Sequence, residues 1–175
     1  MRTKARLLPL ALAATLLITG CASQLQAPSA RILPRAFKMP NHAMAPTLAS
    51  GEVFIADLAA YEETDPSRWD IVVFRPPHDT ERIWAFRVVG LPGEKICFED
   101  GYAVVDGERL VPPSEMSEVR YDALAADGAG GMESYHFEVP EDQYYVLGDN
   151  ARRANDSRVW GSVPRELIMG RITGL

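Results

Sequence analysis

A mainly β, turn-rich domain is what this sequence predicts, and three observations carry that prediction. The length of 175 residues suffices for one domain with a real core and a small appendage. Thirteen prolines and thirteen glycines punctuate the chain. Between them lie short runs rich in Val, Ile and Tyr, which suit strands and turns rather than a helical bundle.

The first residues stand outside the fold argument as a targeting segment. Arg2, Lys4 and Arg6 make a basic start, and Leu7 to Ile18 an apolar run. That run is shorter than the roughly 20 residues a membrane-spanning helix needs. It ends Leu17-Ile18-Thr19-Gly20-Cys21-Ala22-Ser23, which resembles the lipobox of bacterial lipoproteins. The resemblance implies a signal peptide over residues 1–20 and a lipid on Cys21, the first mature residue. The other reading is an ordinary secretory signal that happens to contain a cysteine. Ala22 after the cysteine points to the outer rather than the inner membrane, with the domain in the periplasm. With Cys21 acylated, Cys97 has no disulfide partner and reads as a packing residue.

Removing residues 1–20 takes away three positive charges and moves the formal charge from −6 to −9. An acidic surface argues against a nucleic-acid partner and against a polybasic membrane patch. Membrane attachment would then rest on acyl chains.

The elements follow in order. Residues 21–34 mix Ser, Gln, Ala and Pro without apolar periodicity and read as a tether. The domain proper is expected over residues 35–175. Val53 to Leu58 alternates as a strand, and Tyr61 to Arg68 is a charged loop. A second strand runs from Trp69 to Pro76, and Ile83 to Ile96 is the next apolar stretch. Phe98 to Leu110 reads as a hairpin turning on Asp106-Gly107. Ser114 to Ser134 is a Gly-, Ala- and Asp-rich loop, and Tyr135 to Val139 returns as a strand. Another strand, Gln143 to Leu147, is stopped by Gly148-Asp149-Asn150. Asp149, Asp156, Ser157 and Arg158 crowd the loop that Trp160-Gly161 and Pro164 close, ahead of an apolar segment from Leu167 to Ile172.

Three of these stretches together resemble the type I signal peptidases (peptidase family S26), in the family's order. Pro40, Met44, Pro46, Thr47 and Leu48 match the first motif, and Arg87 through Gly93 the second. Gly148-Asp149-Asn150 with Asp156-Ser157-Arg158 and Trp160-Gly161 matches the third. The resemblance covers about half of the chain beyond residue 20. It implies the LexA/signal peptidase type of β fold, with a small accessory β region over about residues 97–143.

What the resemblance implies for chemistry is different. The family's nucleophilic Ser falls on Ala43, and its general-base Lys on Phe86, where another branch has His. A third position, a Ser that hydrogen-bonds the Lys, falls on Ala154. A methyl group cannot attack a carbonyl, and a phenyl ring cannot take a proton. Losing all three polar groups together avoids stranding one of them in the interior, which costs about 1–3 kcal/mol. His42, Thr47 and Ser50 lie near Ala43 as substitutes, but none has a nucleophile–base pairing in sequence. His78 and His136 lack partners at ligand spacing, so no metal or cofactor is expected.

The frame remains. Arg87, Asp149, Asp156 and Arg158 are expected to form a buried ionic cluster. Asn41 takes the place of a side chain that helps stabilise the oxyanion in the family, and its amide could still donate. Asn41, Met44 and Pro46 are the expected binding residues. Three functional readings follow: a non-catalytic protein that binds an extended peptide or envelope protein segment, a processing endopeptidase using unusual residues, and a structural envelope lipoprotein. An open apolar groove would favour the first over the third, and a groove plugged by Phe86 the reverse.

Overall fold

The computed structural model describes residues 34–121 and 136–174. The expected signal peptide, Cys21, the tether up to residue 33 and the segment 122–135 lie outside these residues. Eleven strands are present among the described residues: β1 (Arg35–Lys38), β2 (Val53–Asp57), β3 (Ile71–Phe74), β4 (Trp84–Gly90), β5 (Lys95–Glu99), β6 (Tyr102–Val105), β7 (Glu108–Arg109), β8 (Phe137–Glu138), β9 (Gln143–Leu147), β10 (Val163–Pro164) and β11 (Ile168–Thr173). The only α-helical piece among them is one turn, α1 (Ser157–Trp160). The mainly β expectation therefore holds.

Seven strands form one sheet in the order β1-β2-β11-β3-β4-β9-β10, and four form a second in the order β7-β6-β5-β8. β4 and β9 lie between two apolar clusters, which explains why both carry apolar residues at successive positions rather than in strict alternation. On one face Val88, Tyr144 and Val146 join Met44, Leu48, Val72 and Phe74. On the other, Val89, Tyr145 and Leu147 join Ile96, Phe98, Met116 and Val139. Full burial of each such side chain contributes about 1.5–3 kcal/mol.

Several expectations change in detail. Arg35–Lys38 forms β1, pairing antiparallel with β2, although its sequence shows no alternation. The strand expected from Trp69 begins only at Ile71: Trp69 has φ 74°, a left-handed conformation that breaks the regular register, although Trp69 N–H still donates to the Val88 carbonyl and Val88 N–H to the Asp70 carbonyl, each at 2.8 Å. The Trp69 carbonyl accepts from Arg87 Nη1 at 2.9 Å. The single hairpin over Phe98–Leu110 is a three-stranded meander with two Asp-Gly turns. Asp100-Gly101 has φ 49° and 77°, and Asp106-Gly107 has 49° and 84°. Both match the type I′ geometry that joins twisted strands. The expected 135–139 strand shrinks to the two residues of β8. Ser114–Met116 is a 3-10 turn within the expected loop. Cys97 is a buried free thiol on β5, and burial pushes its pKa up, helped by Glu99.

Candidate functional site

The loop after β1 is held at both ends before it reaches residue 43. Met39 N–H donates to the Glu52 carbonyl, and Gly51 N–H to the Met39 carbonyl, each at 2.8 Å. Met44 and Leu48, both fully buried, pin the loop to the core, with Leu48 N–H bonded to the Met44 carbonyl at 2.9 Å. Asn41 Oδ1 accepts from Ala43 N–H at 2.9 Å, an Asx-type turn that sets the backbone of residue 43. Ala43 is thereby buried, and its carbonyl accepts from Asn150 N–H at 2.9 Å.

The loop after β9 supplies the opposite wall. Asp156 caps α1 through Arg158 N–H at 3.2 Å and also accepts from Gly148 N–H at 3.0 Å. Its carboxylate grips Arg158 with Nε–Oδ1 at 2.8 Å and Nη2–Oδ2 at 2.7 Å. Ser157 is fully buried at the start of α1, where its Oγ accepts from Val146 N–H at 2.9 Å. A second carboxylate, Asp149, binds Arg87 on β4 in the same two-pronged way, at 2.9 and 2.7 Å. Thr47 Oγ1 donates to Asp149 at 2.5 Å. Burial by itself lowers the Arg87 pKa, but the hydrogen bond and charge of Asp149 outweigh it and the net shift is upward. The expected ionic cluster is thus two bidentate pairs, each anchoring one part of the loop.

Gly148 is where Ala43, Phe86 and Ala154 meet. A Cβ built on it would lie 2.4 Å from Ala154 Cβ, 2.6 Å from the Ala43 carbonyl oxygen and 3.3 Å from Phe86 Cε1. Ala43, Phe86 and Ala154, separated by 43 and 68 positions in the chain, are therefore packed around one glycine. All three are buried, and the Phe86 ring lies against Phe74 and Trp84, with centroids 5.9 and 5.8 Å apart. Their side chains are two methyl groups and a phenyl ring. They hold no nucleophile, base or acid.

Beside this point opens a cleft of about 180 Å³ lined by Met39, Pro40, Asn41, Ala43, Trp84, Ala85, Phe86, Arg153 and Asn155. Phe86 forms part of its wall without closing it. β9 pairs with β4 only from Arg87 onward, whereas β3 pairs along Trp84–Arg87. Among the described strands, the other edge of Trp84–Phe86 has no partner.

Of the three residues expected to bind, only Asn41 lines this cleft. Met44 is buried beneath it as an anchor, and Pro46 lies on other surfaces, with Thr47 and Arg87 or with Asp149 and Arg152. The reason is the turn at 41–44, which sends successive side chains in different directions. Among the proposed substitutes, His42 and Ser50 are exposed, and Thr47 is engaged with Asp149. His78 is exposed and rests against Trp84 and Trp160, with ring centroids 5.2 and 5.6 Å away; His136 is also exposed. No group of three or more His, Cys, Asp or Glu residues able to hold a metal occurs among the described residues. Met39, Trp84, Ala85, Arg153 and Asn155 were missed. Their signal was adjacency: each lies within a few residues of Ala43, Phe86 or Ala154.

The family model described as "Signal peptidase, peptidase S26" matches residues 10–174, and the chain belongs to that family. It is 36% identical over 141 residues to a protein named probable signal peptidase I-2 of Synechocystis, covering 76% of this chain and 58% of that one. It is 34% identical over 140 residues to a signal peptidase I of Leptolyngbya laminosa, covering 76% and 64%. With signal peptidase I V of Bacillus subtilis the identity is 30% over 145 residues, covering 78% and 82%. The chain thus spans about three fifths of the length of the first two relatives. A crystal structure of a signal peptidase I from Enterococcus faecalis aligns with a TM-score of 0.49 at 28% identity, covering 63% of this chain and 98% of that one.

Proposed function

We propose that this chain is a non-catalytic member of the signal peptidase family that binds an extended peptide or protein segment in the bacterial envelope, tethered by a lipid on Cys21. The observation that carries the reading is the packing of Ala43, Phe86 and Ala154 around Gly148 beside an open cleft. At these positions the family's attack would need a hydroxyl and an unprotonated amine. The N–H of Ala43 is also engaged by Asn41 Oδ1, so it is not poised as a free donor for a developing oxyanion. Asn41 itself keeps its amide nitrogen for a ligand.

Binding is favoured over a purely structural role by the open cleft and by the unpartnered edge of Trp84–Phe86. An extended chain laid along that edge would gain backbone hydrogen bonds, the ordinary route of strand addition. The cleft is smaller than the roughly 300–1,000 Å³ that accommodates drug-sized ligands, and it suits a small side chain.

The test is cleavage of a preprotein carrying an Ala-x-Ala site, with wild type beside an Ala43→Ser/Phe86→Lys double variant. Wild type is expected to leave the preprotein intact while a peptide spanning the site changes the fluorescence of Trp84. Cleavage by the double variant would add support for an intact groove. Cleavage by wild type would sink the non-catalytic reading and turn attention to His42, Thr47 and Ser50.

A further inference from the structure

We infer that the cleft selects peptides bearing a carboxylate beside a small residue, with Arg153 as the group that recognises the charge. The inference rests on the peptide-binding reading above and names the ligand chemistry. Of the nine residues lining the cleft, Arg153 is the only charged one, and none is acidic. Its side chain is exposed and, among the described residues, takes part in no ion pair or side-chain hydrogen bond. The other arginines of this loop differ, since Arg158 is locked to Asp156 within the fold.

The rim adds a donor from Asn41. Asn41 has spent its carbonyl oxygen on Ala43 N–H, which leaves its NH₂ group to face a guest. The walls offer Met39, Pro40, Ala43, Ala85 and Phe86, which fit an apolar side chain of small size. The chain as a whole is acidic, at −6, so Arg153 in this cleft has the sign opposite to the chain's net charge.

Arg153 is also positioned before any ligand arrives. Arg153 N–H and Ala154 N–H both donate to the Asn150 carbonyl at 3.0 Å, and Asn150 N–H donates to Ala43. The turn carrying the guanidinium is therefore tied to the cleft floor, and less ordering is left for binding to supply. A carboxylate meeting a guanidinium forms charge-assisted, often two-pronged hydrogen bonds. Two sources share this chemistry, the free C-terminus of a peptide and an Asp or Glu side chain.

The experiment measures binding of three seven-residue peptides to the full chain in detergent. One ends Ala-Gln-Ala as the free acid, one is its C-terminal amide, and one is an amide extended by Glu. Wild type is compared with Arg153→Gln and Arg153→Glu. At least one carboxylate peptide is expected to bind about three- to fivefold more tightly than the neutral amide, the range of a solvent-exposed ion pair. That preference should vanish in Arg153→Gln, reverse in Arg153→Glu and shrink as salt is raised. Whichever carboxylate peptide shows it identifies the source. Equal binding of acid and neutral peptides, or a preference that survives Arg153→Gln, overturns the role of Arg153 and leaves peptide binding standing. Failure of all three peptides to bind overturns both.

Discussion

Gly148→Ala tests whether Ala43, Phe86 and Ala154 meet where the structure places them. The glycine is not in a left-handed conformation, so an alanine could adopt its backbone, and any cost must come from space. Ordinary carbon–carbon contacts lie at about 3.5–4.0 Å. The new methyl would sit 2.4 Å from Ala154 Cβ and 2.6 Å from the Ala43 oxygen. That oxygen cannot retreat freely, because Asn150 N–H holds it at 2.9 Å. Overpacking of this kind costs about 1–3 kcal/mol, and two rigid neighbours put Gly148→Ala toward the upper end. Urea denaturation followed by circular dichroism reads the change as a shift in midpoint at constant slope. Adding Ala154→Gly removes one clash and leaves the carbonyl, so the double variant should recover about 1 kcal/mol relative to the sum of the singles. An unchanged midpoint for Gly148→Ala, or strict additivity of the pair, would refute the convergence and with it the site.

Three further outcomes follow from the buried polar groups. Asp149→Asn or Arg87→Met alone should lose about 3–5 kcal/mol, because each strands a buried partner, whereas Arg87→Met/Asp149→Leu should lose less than either; denaturation of the three variants checks the order. Tyr121 carries a buried hydroxyl with no hydrogen-bond partner among the described residues, so Tyr121→Phe should leave stability unchanged or raise it by about 1 kcal/mol in the same assay. Burial, then Asp149, raises the pKa of Tyr121, and burial, then the charge of Asp70 and a 2.9 Å hydrogen bond to it, raises that of Tyr61. Both hold their protons in the folded state after the unfolded chain has lost them near pH 10, so stability is full below about pH 10 and falls as pH rises beyond it. A pH series of melting temperatures should show that fall, and Tyr61→Phe/Tyr121→Phe should flatten it.

Local chemistry made much of the fold legible. Val53–Asp57 alternates because one face of β2 is wet, and Gln143–Leu147 does not because β9 is covered on both. Asp106-Gly107 announced its turn by residue type. The equivalent Asp100-Gly101 turn carries the same residue types but lies inside the Phe98–Leu110 stretch read as a single hairpin. β1 was invisible for another reason: Arg35–Lys38 is mostly exposed and pairs only along one edge, so burial never shaped its pattern. At the site, Ala43, Phe86 and Ala154 could be named from motifs that flank them. Met44 and Pro46 could not be sorted from Asn41, since a turn scatters neighbouring side chains to opposite sides.

The sequence alone determined family and chemical inventory. Motif order and spacing survive without coordinates, and whether residues 43 and 86 carry an oxygen or an amine is a covalent fact. Tertiary structure alone decided that Ala43, Phe86 and Ala154 share one glycine, that the groove beside them is open, and that Arg153 stands at its mouth. Those are properties of β4, β9 and two loops brought together across the fold. Contacts between segments far apart in the chain leave no periodicity in either one, and so only packing in three dimensions can reveal them.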